Sequence, residues 1–405
     1  MEMEGSPSEF RDWAHLPVEI VEVISEKVKS ITDYVRFRAV CSPWRSASLS
    51  QPRHLPPQLP WLMIPYMPNP ERFPPDKKDD GIRLFYDHWE SKMRKLHLPE
   101  TIGMMCCANY RGWLLLVAPE GKEVFLLNPL TRVRVQLPPF TLPVKRLRDR
   151  GGSGAPHPAN DVSRLFKPPM GNFVITRVTF SAVLTDPNCL IMVFLEDSRG
   201  IFYCRVGDPC WSMVHIGHSD APWGDATYYN GCFYLLYQGA VYVIDLDKSE
   251  RSKVCLFEKL RDVNFSVLEG KSGVHVVAVH NSDIKEVTEK TLEQRFELYQ
   301  FLESKLDLKK ITDTSNTTLF FGENHHFLAV CSDDWDLLDG GCVYMEHKCK
   351  PSAGKDQDSE FYNYYYSISF AKMDDVNFKT VVCDIAGEPP IWLPPPAMWF
   401  QPSYV

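Results

Sequence analysis

The chain has 405 residues, of which 44% are hydrophobic and 24% are charged, and its formal net charge is -8 at pH 7. This composition is typical of a globular protein with room for a small module and one large domain, or for two to three average domains. The longest apolar runs have only the length of a strand, so no membrane-spanning segment is expected. The acidic balance argues against nucleic acid as the main partner.

The N-terminal sequence Met-Glu-Met-Glu lacks the basic and apolar regions of a secretory signal, so we expect a protein of the cytoplasm, the nucleus or both. The 12 cysteines then meet a reducing compartment, where disulfides are rare and buried thiols act as small hydrophobes. The spacing of Cys342, His347 and Cys349 matches no common zinc module, and we predict neither a metal nor a cofactor. Residues 1–12 are predicted to be disordered.

Three short helices are predicted in residues 13–50. The first follows Pro17, which a first helical turn tolerates, and carries apolar residues at helical spacing, namely Ile20, Ile24 and Val28. Asp33 is the predicted cap of the second helix, and Ser42 is the predicted cap of the third. Such a unit lies near the size below which a domain seldom folds without a metal, a disulfide or a partner. We therefore expect its surplus apolar surface to bind a second protein.

This segment resembles an F-box, in the variant common in plant proteins, through Leu16-Pro17-Val18-Glu19-Ile20, Arg36-Phe37-Arg38-Ala39-Val40-Cys41 and Trp44-Arg45. The resemblance implies docking onto a Skp-type adaptor, which links the protein to a cullin-based ubiquitin ligase. The predicted adaptor-binding residues are Leu16, Pro17, Val18, Ile20, Ile24, Val40, Cys41 and Trp44. The alternative is an ordinary helical cap that packs on the following domain.

Residues 51–80 contain nine prolines, which indicates an extended or turn-rich connector rather than a helix. Within this connector, Trp61-Leu62-Met63-Ile64 could form the first strand of the next domain. The sequence therefore does not fix a single residue as the boundary between the connector and that domain.

Residues 81–405 read as short strands that are rich in β-branched and aromatic residues and are separated by turn residues. The stretches 110–129 and 229–245 resemble each other, each with a glycine before a hairpin, and a weaker third copy spans 320–344. At about 40 to 50 residues per unit, the domain would be a β-propeller of about six or seven blades. A large β-sandwich or several small β domains are the alternative. The predicted fold class is α+β multidomain, with a three-helix F-box before an all-β domain.

The β domain also resembles the plant F-box-associated domain of unknown function. The similarity rests on several short motifs and on the tail, among them Gly112-Trp113-Leu114-Leu115, Leu127-Asn128-Pro129-Leu130-Thr131, Leu137-Pro138-Pro139 and Trp399-Phe400. The ligands of that family are largely undefined, so the resemblance indicates a fold more than a chemistry.

Two loops of the β domain are candidates for contacts with a partner. The segment 142–170 is basic at its start and rich in glycine and proline, so it is predicted to be a mobile loop, with nuclear import as one possible role. Asp333, Asp334 and Trp335 form an acidic stretch that is a weak candidate for target binding. A phosphate-binding loop at Gly270-Lys271-Ser272 lacks its leading glycine, because Phe265 occupies that position.

These features predict a non-catalytic receptor subunit of a ubiquitin ligase complex, which binds the adaptor through the helices and an unknown protein target through the β domain. The main alternative is a propeller that captures a small molecule or a protein partner without degradation. A propeller hydrolase would need a cluster of acid and base residues that the sequence does not display.

Overall fold

The structure is a computed structural model that describes residues 13–49, 52, 54–55, 58–64, 79–140, 145–146, 175–195, 200–215, 223–237, 240–246, 250–255, 263–270, 273–281, 294–322, 327–331, 338–349, 365–373, 379–381 and 398–403. A helical unit comes first in the chain and an all-β domain follows. Within the described residues, no helix has the length and apolar character needed to cross a membrane.

The three predicted helices are confirmed, and two of their starts are corrected. After a 3-10 turn at Trp13–His15, the helices are α1 (Val18–Lys27), α2 (Ile31–Ala39) and α3 (Ser42–Ala47). The cap of α2 is Ser30 rather than Asp33, because the backbone N–H of Asp33 donates to the Ser30 hydroxyl at 3.5 Å. Ser42 is the first residue of α3, and Cys41 is its cap.

The first sheet contains β1 (Trp61–Met63), β2 (Ile82–Asp87), β3 (Lys92–His97) and β26 (Met398–Phe400), in the order β26-β1-β2-β3. The second contains, in chain order, β4 (Met105–Tyr110), β5 (Trp113–Val117), β6 (Val124–Leu127) and β7 (Arg134–Leu137). The third contains β8 (Lys145–Arg146), β9 (Ile175–Phe180), β10 (Leu190–Leu195), β11 (Gly200–Arg205) and β12 (Ser212–His215), in the order β8-β12-β11-β10-β9.

The remaining sheets complete the domain. The fourth contains, in chain order, β13 (Trp223–Tyr229), β14 (Cys232–Tyr237), β15 (Ala240–Asp245) and β16 (Glu250–Cys255). The fifth contains, likewise, β17 (Val263–Gly270), β18 (Gly273–Asn281), β19 (Gln294–Leu302) and β20 (Asp307–Lys310). The sixth contains β21 (Thr317–Phe321), β22 (Phe327–Cys331), β23 (Cys342–Cys349), β24 (Tyr365–Lys372) and β25 (Lys379–Val381), in the order β22-β21-β23-β24-β25.

The sheets are arranged around a common axis, because one edge strand of each packs beside an edge strand of the next. β26 lies beside β4, β4 beside β9, β9 beside β13, β13 beside β17, and β17 beside β22. This radial arrangement is a β-propeller and not a sandwich. The expected number of about six or seven blades is corrected to five blades in the described residues, beside a composite sheet that joins β26 to β1–β3.

The two clearest sequence repeats, each predicted as a hairpin that follows a glycine, are equivalent hairpins in the structure: β5 pairs antiparallel with β6, and β14 pairs antiparallel with β15. The glycine of each repeat lies in the turn that precedes this hairpin. Arg111-Gly112 joins β4 to β5, and Asn230-Gly231 joins β13 to β14; all four residues have positive φ angles, from 46 to 87°. A two-residue turn with two positive φ angles matches the twist of the strands that it connects. The expected hairpin at 296–311 is also present, since β19 pairs antiparallel with β20.

The weak third copy at 320–344 differs from the other two. β21 lies between β22 and β23, and it pairs antiparallel with β22 but parallel with β23. β22 and β23 therefore lie on opposite sides of β21 although they are consecutive strands, which is a crossover. A strand pattern alone gives no signal for this crossover, because it specifies each strand and not its neighbour.

The C-terminal segment 401–403 closes the ring by packing on the second sheet. The Asn128 side-chain amide donates to the backbone O of Ser403 at 2.8 Å, and its carbonyl oxygen accepts from the backbone N–H groups of Leu130 and Thr131. Gly112 lies so close to this segment that an added Cβ would be 2.6 Å from the Cβ of Ser403. The motifs at Gly112 and Asn128 therefore serve closure of the ring. We call this contact the clasp.

A polar network connects three strands of the fifth sheet around Glu297. The carboxylate accepts from Lys310 Nζ at 2.7 Å and from the Tyr299 hydroxyl at 2.7 Å, and it lies 3.1 Å from His280 Nε2. Burial by itself would raise the pKa of Glu297, but hydrogen bonds from Lys310, Tyr299 and His280 outweigh it and lower the pKa to about 2. The folded protein therefore favours the ionised carboxylate.

We expect the network to make stability depend on pH. A carboxyl group with a lowered pKa in the folded state stabilises the protein above its unfolded pKa of about 4.3, and this contribution is lost as the pH falls toward about 2. Glu297→Gln should cost roughly 2 kcal/mol at pH 7, after a discount for the half-exposed Lys310, and this cost should shrink as the pH falls from about 5 toward about 2. Urea unfolding of the wild type and of Glu297→Gln at several pH values measures this cost. Lys310→Met should flatten the same pH dependence; parallel curves for wild type and Glu297→Gln would contradict the assignment.

Candidate docking surface on the helical unit

The inside of the helical unit is built on an aromatic row. Tyr34 stacks on Phe37 with ring centroids 6.5 Å apart, and Phe37 contacts Trp44 at 4.6 Å. The Tyr34 hydroxyl donates to the backbone O of Leu49 at 2.9 Å, and burial raises the pKa of Tyr34, so it remains a protonated donor. The Trp44 indole N–H donates to the backbone O of Trp13 at 3.0 Å. This row joins α2, α3 and both ends of the unit.

The outside of α1 carries apolar side chains that the unit does not bury. Successive residues lie about 100° apart around a helix, so Ile20, Val23 and Ile24 share one side, and Val21 and Ser25 share another. Val21 and Ser25 are buried, whereas Ile20 and Ile24 are 48% and 37% exposed. We call the side formed by Ile20, Val23 and Ile24 the α1 patch.

The helical unit holds a disproportionate share of the exposed apolar side chains. Of the 13 large hydrophobic residues that are exposed in the described part of the chain, eight lie in 13–49: Trp13, Val18, Ile20, Val23, Ile24, Val35, Val40 and Leu49. Scattered exposed apolar residues are normal, but a concentration in 37 residues is the mark of an interaction surface.

The structure places the eight predicted adaptor-binding residues in two environments. Pro17, Val18, Ile20, Ile24 and Val40 are exposed, and Leu16, Cys41 and Trp44 are half-buried. Ile20 and Ile24 come together in the α1 patch. Trp44 differs from the others because it packs on Phe37 inside the unit. Contact with an adaptor stays a prediction for all eight.

Sequence reasoning missed four exposed apolar residues, namely Trp13, Val23, Val35 and Leu49. Val23 was recognisable as part of a wide apolar stripe on α1, but helical spacing alone does not say which side of that stripe faces outward. The choice depends on Val21 and Ser25, which contact the other helices and so turn Val23 toward solvent.

Several other predicted features fall outside the described residues. Asp333, Asp334 and Trp335 lie outside them, as does most of the loop 142–170. From that loop the structure describes Lys145 and Arg146, which form β8 and pair parallel with β12. In the described part of the chain, no group of three or more His, Cys, Asp or Glu side chains is placed to hold a metal ion.

The axis of the propeller has a buried polar network of its own. On the edge strands β9, β13 and β17, Asp225 accepts from Arg177 Nε at 2.8 Å and from the Ser266 hydroxyl. All three side chains are buried. Since the ion pair ties neighbouring sheets together and its charges neutralise each other, the network serves the packing of the blades.

Comparisons with known proteins agree with this division into two parts. The family model described as KIB1-4 beta-propeller matches residues 85–365. F-box protein SKIP23 of Arabidopsis thaliana is 25% identical over 368 residues, which covers 82% of this chain and 84% of the relative. A putative F-box protein of the same plant is 31% identical over 230 residues, or 53% of each chain. Among solved structures, TolB from Acinetobacter baumannii aligns with 83% of this chain and 66% of its own, at 11% identity and a TM-score of 0.37.

The match at 85–365 covers most of the all-β domain and more than half of the chain. It assigns that domain to a propeller family, and the label of an F-box-associated domain of unknown function is not confirmed. Matched relatives that extend over most of the chain are named F-box proteins. The chain therefore belongs to the KIB1-4 beta-propeller family, whose model matches its C-terminal domain, and its similar proteins in Arabidopsis are F-box proteins.

Proposed function

We propose that this chain is the substrate-recognition subunit of a cullin-based, SCF-type ubiquitin ligase. The helical unit binds a Skp-type adaptor, and the propeller binds a protein target. The chain performs no bond chemistry; it acts in the cytoplasm, the nucleus or both by raising the effective concentration of target lysines near a ubiquitin-charged enzyme. A propeller suits this task because its rigid sheets can carry variable loops.

The observation that carries the proposal is the concentration of exposed apolar residues in the helical unit. Burial of three or four Val, Leu or Ile side chains is worth roughly 1.5 to 3 kcal/mol each. The patch is large enough for a stable complex, and it lies in the segment with the F-box motif. The names of the similar Arabidopsis proteins support the same assignment.

Co-expression of the full chain with a plant Skp-type adaptor tests the proposal. We expect the two proteins to co-elute from a sizing column with one copy of each, and we expect a cullin to join them. A chain that lacks residues 13–50 should elute alone. A folded full-length chain that never co-elutes with the adaptor would reject the ligase role and leave a non-degradative binding protein.

Proximity labelling in plant cells under proteasome inhibition identifies the target. The full chain and the chain without residues 13–50 should label the same target, because both retain the propeller. Only the full chain should shorten the lifetime of that target once inhibition is lifted. Equal lifetimes with the two chains would contradict a degradative role.

A further inference from the structure

Gln58 connects the helical unit to the propeller. Its side-chain carbonyl oxygen accepts from the backbone N–H of Ile31 at 2.7 Å, and its amide N–H donates to the backbone O of Lys29 at 3.0 Å. The side chain thus accepts a hydrogen bond from the first residue of α2 and donates one to the turn between α1 and α2. Gln58 is only 6% exposed, so it makes these bonds away from most of the solvent.

The same residue is held from the propeller side. The Gln401 side-chain amide donates to the backbone O of Gln58 at 3.1 Å. Gln401 follows β26 directly and belongs to the C-terminal segment of the clasp, next to Gly112. The helical unit is therefore bonded to the point at which the ring closes.

The chain between Gln58 and the first sheet leaves little freedom. Only Leu59 and Pro60 separate Gln58 from β1, and the proline ring fixes one of the backbone angles. Leu59 is buried in a cluster with Leu62 and Trp399. On the other side, His54 contacts the Tyr34 ring at 5.4 Å. The end of the connector is thus a short, packed link.

We propose that Gln58 and Gln401 form a positioning joint that fixes the α1 patch relative to the propeller. The inference rests on the proposed function, and it makes the receptor a rigid spacer. A target on the propeller would be held at one distance and orientation from the ubiquitin-charged enzyme. A stiff connection keeps the effective concentration of a few target lysines high, whereas a flexible one spreads it over many.

Distance measurements on the full chain test the joint. Because the chain has 12 cysteines, spin labels are attached to a ketone-bearing unnatural amino acid at two exposed positions, Glu26 on α1 and Lys309 on β20. Pulsed electron paramagnetic resonance then gives the distribution of distances between the two spin labels, one on the helical unit and one on the propeller. The variants are Gln58→Ala, Gln401→Ala and the isosteric Gln401→Glu, which sets a carboxylate against the Gln58 carbonyl.

We expect one narrow distribution in the wild type and a width at least doubled in each joint variant, with the melting temperature of the Gln401 variants unchanged within about 2 °C. The matched control is Gln136→Ala, since the bonds that the structure shows for the Gln136 side chain all stay within its own sheet, to Val124, Leu137 and Arg134; its distribution should stay narrow. A broad wild-type distribution, or equal widths in wild type and all joint variants, would overturn the proposal.

The Gln401 variants leave every bond inside the helical unit intact, so they decide the question even if Gln58→Ala folds poorly. Adaptor binding is measured in a separate arm. Joint variants should bind the adaptor within twofold of the wild type, because the α1 patch is unchanged. If the wild type does not bind the adaptor, the proposed function is rejected. The distance distribution is measured without adaptor, so it would still test the joint.

Discussion

Replacement of Ile20 and Ile24 by aspartate should weaken binding of the Skp-type adaptor at least about 100-fold. Full burial of an isoleucine is worth roughly 1.5 to 3 kcal/mol; because Ile20 and Ile24 are 48% and 37% exposed in the free chain, their burial by an adaptor would contribute roughly 1.3 to 2.5 kcal/mol together. The rest of the roughly 2.7 kcal/mol that corresponds to a hundredfold change comes from the introduced charges. The two carboxylates would add the cost of placing charges in an apolar interface. Titration calorimetry with the purified adaptor measures the change.

Folding of this double variant should be nearly normal, because neither side chain belongs to the buried core of the helical unit; Ile20 is 48% exposed and Ile24 is 37% exposed in the free chain. The matched control is Val133→Asp. Val133 is 46% exposed, close to the 48% of Ile20, but it lies on the propeller between β6 and β7. Adaptor affinity should not change in this control. An unchanged affinity in the Ile20→Asp, Ile24→Asp variant would show that the adaptor does not use the α1 patch.

Gly112→Ala should destabilise the propeller by about 3 kcal/mol. Gly112 has a φ of +81°, where a side chain costs roughly 1 to 2 kcal/mol. The new Cβ would also lie 2.6 Å from the Ser403 Cβ and 2.9 Å from the Gln401 backbone O. Overpacking of this kind costs roughly 1 to 3 kcal/mol more. Urea unfolding followed by tryptophan fluorescence gives the difference.

Gly231→Ala is the matched control for this prediction. Gly231 occupies the same turn position with a φ of +87°, and an added Cβ there meets nothing within 4 Å. It should therefore cost only the backbone strain, roughly 1 to 2 kcal/mol. Addition of Ser403→Gly to Gly112→Ala should restore part of the lost stability. Equal effects of Gly112→Ala and Gly231→Ala would mean that the clasp does not hold the ring.

Local patterns predicted the elements of the fold well. The β5–β6 and β14–β15 hairpins were recognisable because each consists of two short apolar strands that follow a glycine turn. The cap of α2 was misplaced because Ser30 and Asp33 are both good cap residues and stand three positions apart. Only the direction of the bond between them, from the Asp33 N–H to the Ser30 hydroxyl, decides which residue is the cap.

Contacts between residues that are far apart in the chain could not be predicted from the sequence. Gln58 and Gln401 are 343 positions apart, and a glutamine in a proline-rich connector has no periodicity that would mark it. The same holds for Arg177 and Asp225, whose pairing depends on which strands lie next to the axis. The candidate adaptor-binding residues were predicted from a family motif. The exposure of five of the eight is a property of the fold, because Val21, Tyr34 and Phe37 fill the inside of the unit.

The composite first sheet can be completed only after the C-terminal strand β26 has been synthesised. A ribosome releases the helical unit and β1–β3 long before it makes β26 at residues 398–400. Until then the first sheet lacks one edge, and Gln58 lacks its partner at position 401. A message cut short near its end would therefore yield a chain whose helical unit is complete but whose ring stays open. Under the proposed function, such a product would compete for the adaptor without presenting a target.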